Sequence, residues 1–138
     1  MLWAMLDLTS HSLEHIRVRD CLSSTPLTCD PDAALTEVAR LLSHHRVHAV
    51  LVRGDPIAVV ADRDLIRALK PGVAARARDI AVEAVTVPDS ASLSEAVMLL
   101  NQHDTTHLIA VDQAGGRPVG LLSASDILAA YAATRSAT

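Results

Sequence analysis

The sequence predicts an α/β (α+β) protein built from two tandem β-α-β-β-α repeats packed with pseudo-two-fold symmetry. Three observations predict it. The chain is similar to itself across its two halves. Its apolar spacing alternates between helical and strand periods inside each half. Of its 138 residues 50% are hydrophobic, yet Phe is absent and Trp and Tyr occur once each, so the core must be Leu, Val, Ile and Ala.

The repeat emerges when "LTCDPDAALTEVARLLSHHRVHAVLV" (27–52) is set over "VTVPDSASLSEAVMLLNQHDTTHLIA" (85–110). Thr28 falls on Thr86, Ala33 on Ala91, Leu35 on Leu93, Glu37 on Glu95 and His45 on His103. Further along, "PIAVVADRDLIRA" (56–68) lies over "PVGLLSASDILAA" (118–130), with Asp64 on Asp126. The lead-ins "VRDCL" (18–22) and "ARDIA" (77–81) agree as well. Two copies are too few for a solenoid, so the pair is expected to share one core.

Each copy reads in the same order. A short strand comes first, at 27–29 and 85–87. A helix follows at 33–45 and 92–103, its apolar residues recurring at helical spacing in Leu35, Val38, Leu41 and Leu42. Ser92 and Glu95 form a capping box at the second helix. The first copy has Ala34 at that position, which makes Asp32 the candidate cap. Two apolar strands come next, at 47–52 and 57–61, then at 106–111 and 118–122. They are joined by "RGDP" and by the longer "DQAGGR", where Gly115 and Gly116 can take positive φ. A last helix closes each copy, at 62–70 and 123–134. The organisation is an N-terminal extension 1–17, a first domain 18–70, a linker 71–76, a second domain 77–134 and a tail 135–138.

Composition excludes several classes. The formal net charge is −4 and no basic stripe exists, so a nucleic-acid partner is not expected. Lys70 is the single lysine among 12 basic residues, an arginine bias expected of a GC-rich bacterial genome. Cys21 and Cys29 have neither metal nor redox-motif spacing, which suits a reducing cytoplasm. The start "MLWAMLDL" lacks the basic region of a signal peptide. No apolar run reaches the ~20 residues of a membrane helix. A soluble, cytoplasmic protein is expected.

The duplicated β-α-β-β-α unit, ending "GLLSASD" (120–126) before its last helix, resembles the cystathionine-β-synthase (CBS) domain family, two of which form a Bateman module. The resemblance covers residues 18 to about 131. It implies a stand-alone regulatory CBS pair, not an enzyme, that requires no cofactor. The implied ligand is AMP, ADP or ATP, or less commonly S-adenosylmethionine or NAD(H). It also implies a homodimer and an unknown protein effector reached in trans. In the second copy it implies a main site at Thr86, Val87, His107, Ser123 and Asp126. The chemistry suits a ribose, because an ionised Asp is acceptor-only and can take both vicinal hydroxyls. Ser123 can donate to ribose or phosphate oxygens, and the N-terminus of the helix adds anion affinity. His107 would face the phosphates. Ser123 and Asp126 also form an S-x-x-D capping box in their own right, which needs no ligand.

The first copy departs from the pattern. Ala58 stands for the usual Gly and Ala61 for the hydroxyl residue. Its weaker site would comprise Thr28, Arg46, Arg63 and Asp64. A methyl at position 58 would crowd a ligand that needs close backbone approach. This degeneracy supports a rival reading, a ligand-free dimeric interaction scaffold. Leu51 and Ile109 stand where the family has a Pro in the central strand.

Other signals are weaker. His44 with His48, and His103 with His107, have a spacing able to bind metal, but nothing completes either set. No metal site is expected. No nucleophile elbow, phosphate-loop lysine or G-x-G-x-x-G occurs. The run Met1 to Leu8, with Trp3, is apolar enough to need a cover, on its own domain or across a dimer.

Overall fold

The computed structural model describes residues 12–22, 25–72 and 75–136. The apolar run at residues 1–8 lies outside them, as do the ends of the linker's central pair, Val73 and Ala74. The chain forms two compact units. One is Pro26–Ala84; the other joins the chain up to Thr25 to the chain from Val85 onward.

The first unit contains β1 (Thr28–Cys29), α1 (Leu35–His45), β2 (Ala49–Val52), β3 (Ala58–Ala61), α2 (Asp62–Ala68), α3 (Ala77–Ile80) and β4 (Val82–Glu83). Its sheet runs β1-β2-β3-β4. The β1–β2 pairing is parallel, with Thr28 opposite Leu51, and the other two pairings are antiparallel. The second unit contains β5 (Thr86–Pro88), α4 (Leu93–His103), β6 (His107–Val111), β7 (Pro118–Ser123) and α5 (Ala124–Ser136). Its sheet runs β5-β6-β7, parallel then antiparallel. The α+β class and the repeated element order expected from the sequence are both present. The short β4 and helical α3 are additional to that expectation.

Each unit has its own aliphatic core. Val38, Val50 and Val60 are fully buried in one, and Val87, Leu93, Leu108 and Leu122 in the other. Alternation along the strands sends Val50, Val60, Val87, Leu108 and Leu122 to the helix-packed face of each sheet, where Val38 and Leu93 meet them from the helices. Leu51 and Ile109, the residues in place of proline, point to the other face and are also buried. Both pair in register with a threonine, Thr28 or Thr86, so the central strands run regularly at these positions.

The compact units are not the sequence repeats. The lead-in of the first repeat belongs to the second unit. Val18 N–H donates to Ala91 O at 2.9 Å and Arg19 N–H to Asp89 O at 3.0 Å. The lead-in of the second repeat is held by the first sheet, where Ala77 N–H donates to Ala33 O at 2.9 Å and Arg78 N–H to Pro31 O at 2.9 Å. Val18 and Ala77 are each 0% exposed, so each lead-in plugs the core of the repeat to which it does not belong.

The helix caps differ between copies. Ser92 Oγ accepts from Glu95 N–H at 3.2 Å, as its spacing predicts. Asp32 does not cap α1. Its carboxylate pairs with Arg78 at 2.8 Å, and Ala34 is an N-cap without a side-chain acceptor. Both long helices end in a left-handed residue, Arg46 (φ 54°) and Asp104 (φ 48°). That reversal separates His44 from His48 and His103 from His107, so neither pair shares a helical face. In the β6–β7 hairpin Gly116 takes φ 67° and Asp112 Oδ1 accepts from the N–H groups of Gly115 and Arg117. These bonds hold the Asp112 carboxyl below its ordinary range.

Candidate functional site

The second copy's site forms where β7 turns into α5. Ser123 N–H donates to Asp126 Oδ2 at 2.8 Å, and Asp126 N–H donates to Ser123 Oγ at 3.2 Å. The two residues therefore form a complete reciprocal capping box. Ser123 Oγ also lies 2.8 Å from Ser125 Oγ. Ala124 N–H donates to Thr106 O at 2.8 Å, which ties the start of α5 to the start of β6.

The ladder then fixes what lies beside this turn. His107 is the cross-strand partner of Ser123, and Ile109 pairs with both Leu121 and Thr86. The two-residue alternation puts Thr86, Ile109, His107, Leu121 and Ser123 on one face. Four of the five residues named for the main site are thus assembled by the β6–β7 and β5–β6 pairings and the α5 turn. Val87 is the exception. It is 0% exposed among the core residues of its unit, so its side chain does not line the face of Thr86.

Three residues near the site were not among those named for it from the sequence, although Ser125 lies inside the quoted motif. Thr106 Oγ1 lies 3.3 Å from His107 Nδ1, and Ser125 joins the hydroxyl pair. Cys21 is the third: burial pushes its thiol up, and the carboxylates of Asp20 and Asp126 add to the shift. The sequence placed Thr106 next to His107 and Ser125 between Ser123 and Asp126. Cys21 reaches the site through the exchanged lead-in, which no local pattern encodes.

The first copy keeps half of the arrangement. Asp64 Oδ2 accepts from Ala61 N–H at 3.1 Å, matching Asp126, but Ala61 has no hydroxyl to return the bond. Thr28 Oγ1 accepts from Arg53 at 3.3 Å, so Arg53 is the arginine in contact with that strand. Arg46 and Arg63 are exposed and make no ion pair with a described residue. His48 Nδ1 instead lies 3.0 Å from Asp62 Oδ2 across the same turn. Two surface cavities in this unit, of about 590 and 330 Å³, are lined by neither set of named site residues. Among the described residues no cluster of His, Cys, Asp and Glu could hold a metal ion, and no helix is long and apolar enough to cross a membrane.

The CBS domain model matches residues 18–71 and 77–133. The chain is 30% identical over 114 residues to the uncharacterized protein MJ0450 of Methanocaldococcus jannaschii, a match spanning 75% of this chain and 60% of that relative's length. A CBS domain protein from Pyrobaculum aerophilum, PAE2072, solved with AMP, superposes with a TM-score of 0.73 at 28% identity, covering 86% of this chain and 99% of that one. The CBS domain pair of protein MJ0100 shares the fold at a TM-score of 0.76 and 18% identity, over 86% of this chain and 97% of that one. With two family matches that together span most of its length, the chain belongs to the CBS domain family.

Proposed function

We propose that the chain is a regulatory module that binds an adenosyl ligand at its second repeat and passes occupancy to a partner protein in trans. The observation that carries the reading is the joining of Asp126 and Ser123 to Thr86 and His107 through one ladder and one turn. Among the described residues Asp126 Oδ2 is occupied by the turn, whereas Oδ1 accepts no hydrogen bond. A ribose diol suits an acceptor-only carboxylate of this kind. Thr86, exposed on the same face, offers an edge for the base. The AMP complex of the Pyrobaculum aerophilum protein supports the ligand class. A ligand here regulates by binding two arrangements of the module with different affinity. The weaker copy, with Asp64 but no hydroxyl at position 61, serves as a second, lower-affinity site or as none.

Dimerisation belongs to the same proposal. Ile66 and Leu128 occupy equivalent positions in the two repeats, on α2 and α5, and are 71% and 65% exposed. Apolar side chains repeated at that exposure suit a contact with a second copy. The free thiols of Cys21 and Cys29 suit a reducing cytoplasm.

A closed capping box also satisfies the rival reading of a ligand-free scaffold, because it leaves Ser123 and Asp126 with a complete structural task. Titration calorimetry with AMP, ATP, S-adenosylmethionine and NADH decides between them, run on the native chain, Asp126→Ala and Asp126→Asn. The sensor reading expects micromolar binding of at least one ligand, lost in both variants. No heat from any of the four at millimolar ligand favours the scaffold.

A further inference from the structure

We propose that the first unit binds a small organic anion, a carboxylate or phosphate carried on an apolar body, in the cavity of about 590 Å³ between the start of α1 and the end of α2. The site is separate from the adenosyl reading. Asp64 lies in the first turn of α2, whereas the cavity is lined by Ala68 and the residues that follow it. Three segments form the walls. α1 begins there with Leu35 and Thr36. α2 ends there, where Leu69 N–H donates to Ile66 O at 3.3 Å and the chain turns into Lys70 and Pro71. The lead-in of the second repeat closes the third side, because Arg76 forms an antiparallel bridge with Ala34.

The charge of the lining has one sign. Lys70 and Arg76 both line the cavity, and among the described residues no carboxylate does. The acids nearby have other tasks. Asp32 pairs with Arg78 at 2.8 Å, Asp79 Oδ2 accepts from Arg76 N–H at 2.7 Å, and Glu37 lines the separate cavity of about 330 Å³. Neither Lys70 nor Arg76 makes an ion pair with a described residue. Arg76 Nη1 donates to Asp32 O at 3.1 Å, which fixes the guanidinium and leaves it further N–H donors. Leu35, Leu69 and Pro71 supply the apolar wall, and Thr36 adds a hydroxyl. A cavity of this size, largely apolar with a few polar groups, is the usual form of a small-molecule site. Leu69 also belongs to the face proposed for the dimer, so the cavity opens beside that contact.

The second repeat shows which residue is particular to this site. Arg17 stands where Arg76 does, and it donates to Ser90 O as Arg76 donates to Asp32 O. Holding that turn therefore explains an arginine in both repeats without a ligand. It does not explain Lys70, the single lysine of the chain. The shift of 62 that aligns α2 with α5 puts Ala132 at the equivalent place. The second positive charge thus belongs to the first unit alone, and Lys70 is the residue on which the proposal turns.

The test is a proton–nitrogen correlation NMR titration of the full chain, at neutral pH and low salt, with phenyl phosphate, benzoate and the neutral benzyl alcohol. The expected result is saturable shifts of the Leu35, Thr36 and Lys70 amides with both anions, at least about tenfold tighter than with benzyl alcohol and weaker as salt is added. Lys70→Ala should weaken phenyl phosphate about two- to fivefold, as for an exposed charge pair, and Lys70→Glu at least about tenfold, with circular dichroism unchanged in both. Lys70→Arg should retain the binding. Asp126→Asn, which tests the adenosyl site, should leave it unaltered. Benzyl alcohol binding as tightly as phenyl phosphate, or anion binding that survives Lys70→Glu, overturns the proposal. So do shifts that centre on Ser123 to Asp126 and vanish in Asp126→Asn, a result that would favour the adenosyl site instead. No saturable shift from either anion overturns it too, and leaves the adenosyl reading standing.

Discussion

Leu22 stands where a side chain at position 120 would be. A Cβ built on Gly120 would lie 2.5 Å from Leu22 Cδ1 and 3.1 Å from its Cβ. Glycine is thus required by the exchanged lead-in, which accounts for it without a ligand. The first copy has Ala58 there, and its lead-in offers Ala81 at the position matching Leu22. A methyl replaces a hydrogen where a methyl replaces an isobutyl group, so the total volume changes in the compensating direction. Ala58 thereby loses its force as evidence against a ligand in the first copy; the missing hydroxyl at Ala61 keeps its own. Gly120→Ala should destabilise the protein by about 1–3 kcal/mol through overpacking. Leu22→Ala in the same chain should recover part of that loss, because the two residues share the contact. Urea unfolding of the single and double variants measures both, and an unaltered midpoint for Gly120→Ala would remove Leu22 as the reason for the glycine.

Among the elements, α1 and α4 are copies that start differently. Their N-cap residues have the same extended backbone, Ala34 at φ −68°, ψ 151° and Ser92 at φ −77°, ψ 159°. Only Ser92 brings an acceptor. Ala34→Ser should therefore stabilise the chain by about 0.5–1 kcal/mol, and Ser92→Ala should cost about 1 kcal/mol. Thermal melts check both, and the two shifts should have opposite signs. The Ser92 cap was legible because S-x-x-E is a local pattern in which donor and acceptor lie within one turn. The role of Asp32 was not. Its carboxylate goes to Arg78, which lies far along the sequence and is brought near by the docking of α3. The histidine pairs, for which no metal site was expected, are parted by the ends of the same helices. Their spacing looks helical in sequence until Arg46 and Asp104 adopt left-handed conformations that end the helices.

At the scale of the whole molecule, exposed apolar positions recur with the repeat. Leu65 and Ile127 are each 5% exposed, and the next residues, Ile66 and Leu128, are 71% and 65% exposed. Leu69, one turn beyond Ile66, is 56% exposed. Helix periodicity explains why one neighbour is buried and the next is not; it does not explain why both outward residues are large and apolar. The homodimer contact proposed above would account for it. Ile66→Glu combined with Leu69→Glu should convert a dimer into a monomer in sedimentation velocity, with far-UV circular dichroism unchanged. A dimer that persists would move the contact to another face.

The amino-acid order alone determined the duplication, the β-α-β-β-α sequence of elements and the family, because each is a matter of local period or of one copy matched against the other. It also placed Ser123 and Asp126 together, since three residues at the start of a helix can meet in only a few ways. The tertiary structure decided which lead-in completes which core, that Val87 faces inward and Thr86 outward, and that Arg53 rather than Arg46 meets Thr28. Those outcomes depend on pairings between segments distant in the chain, and neither the spacing nor the type of a residue specifies its partner across that distance.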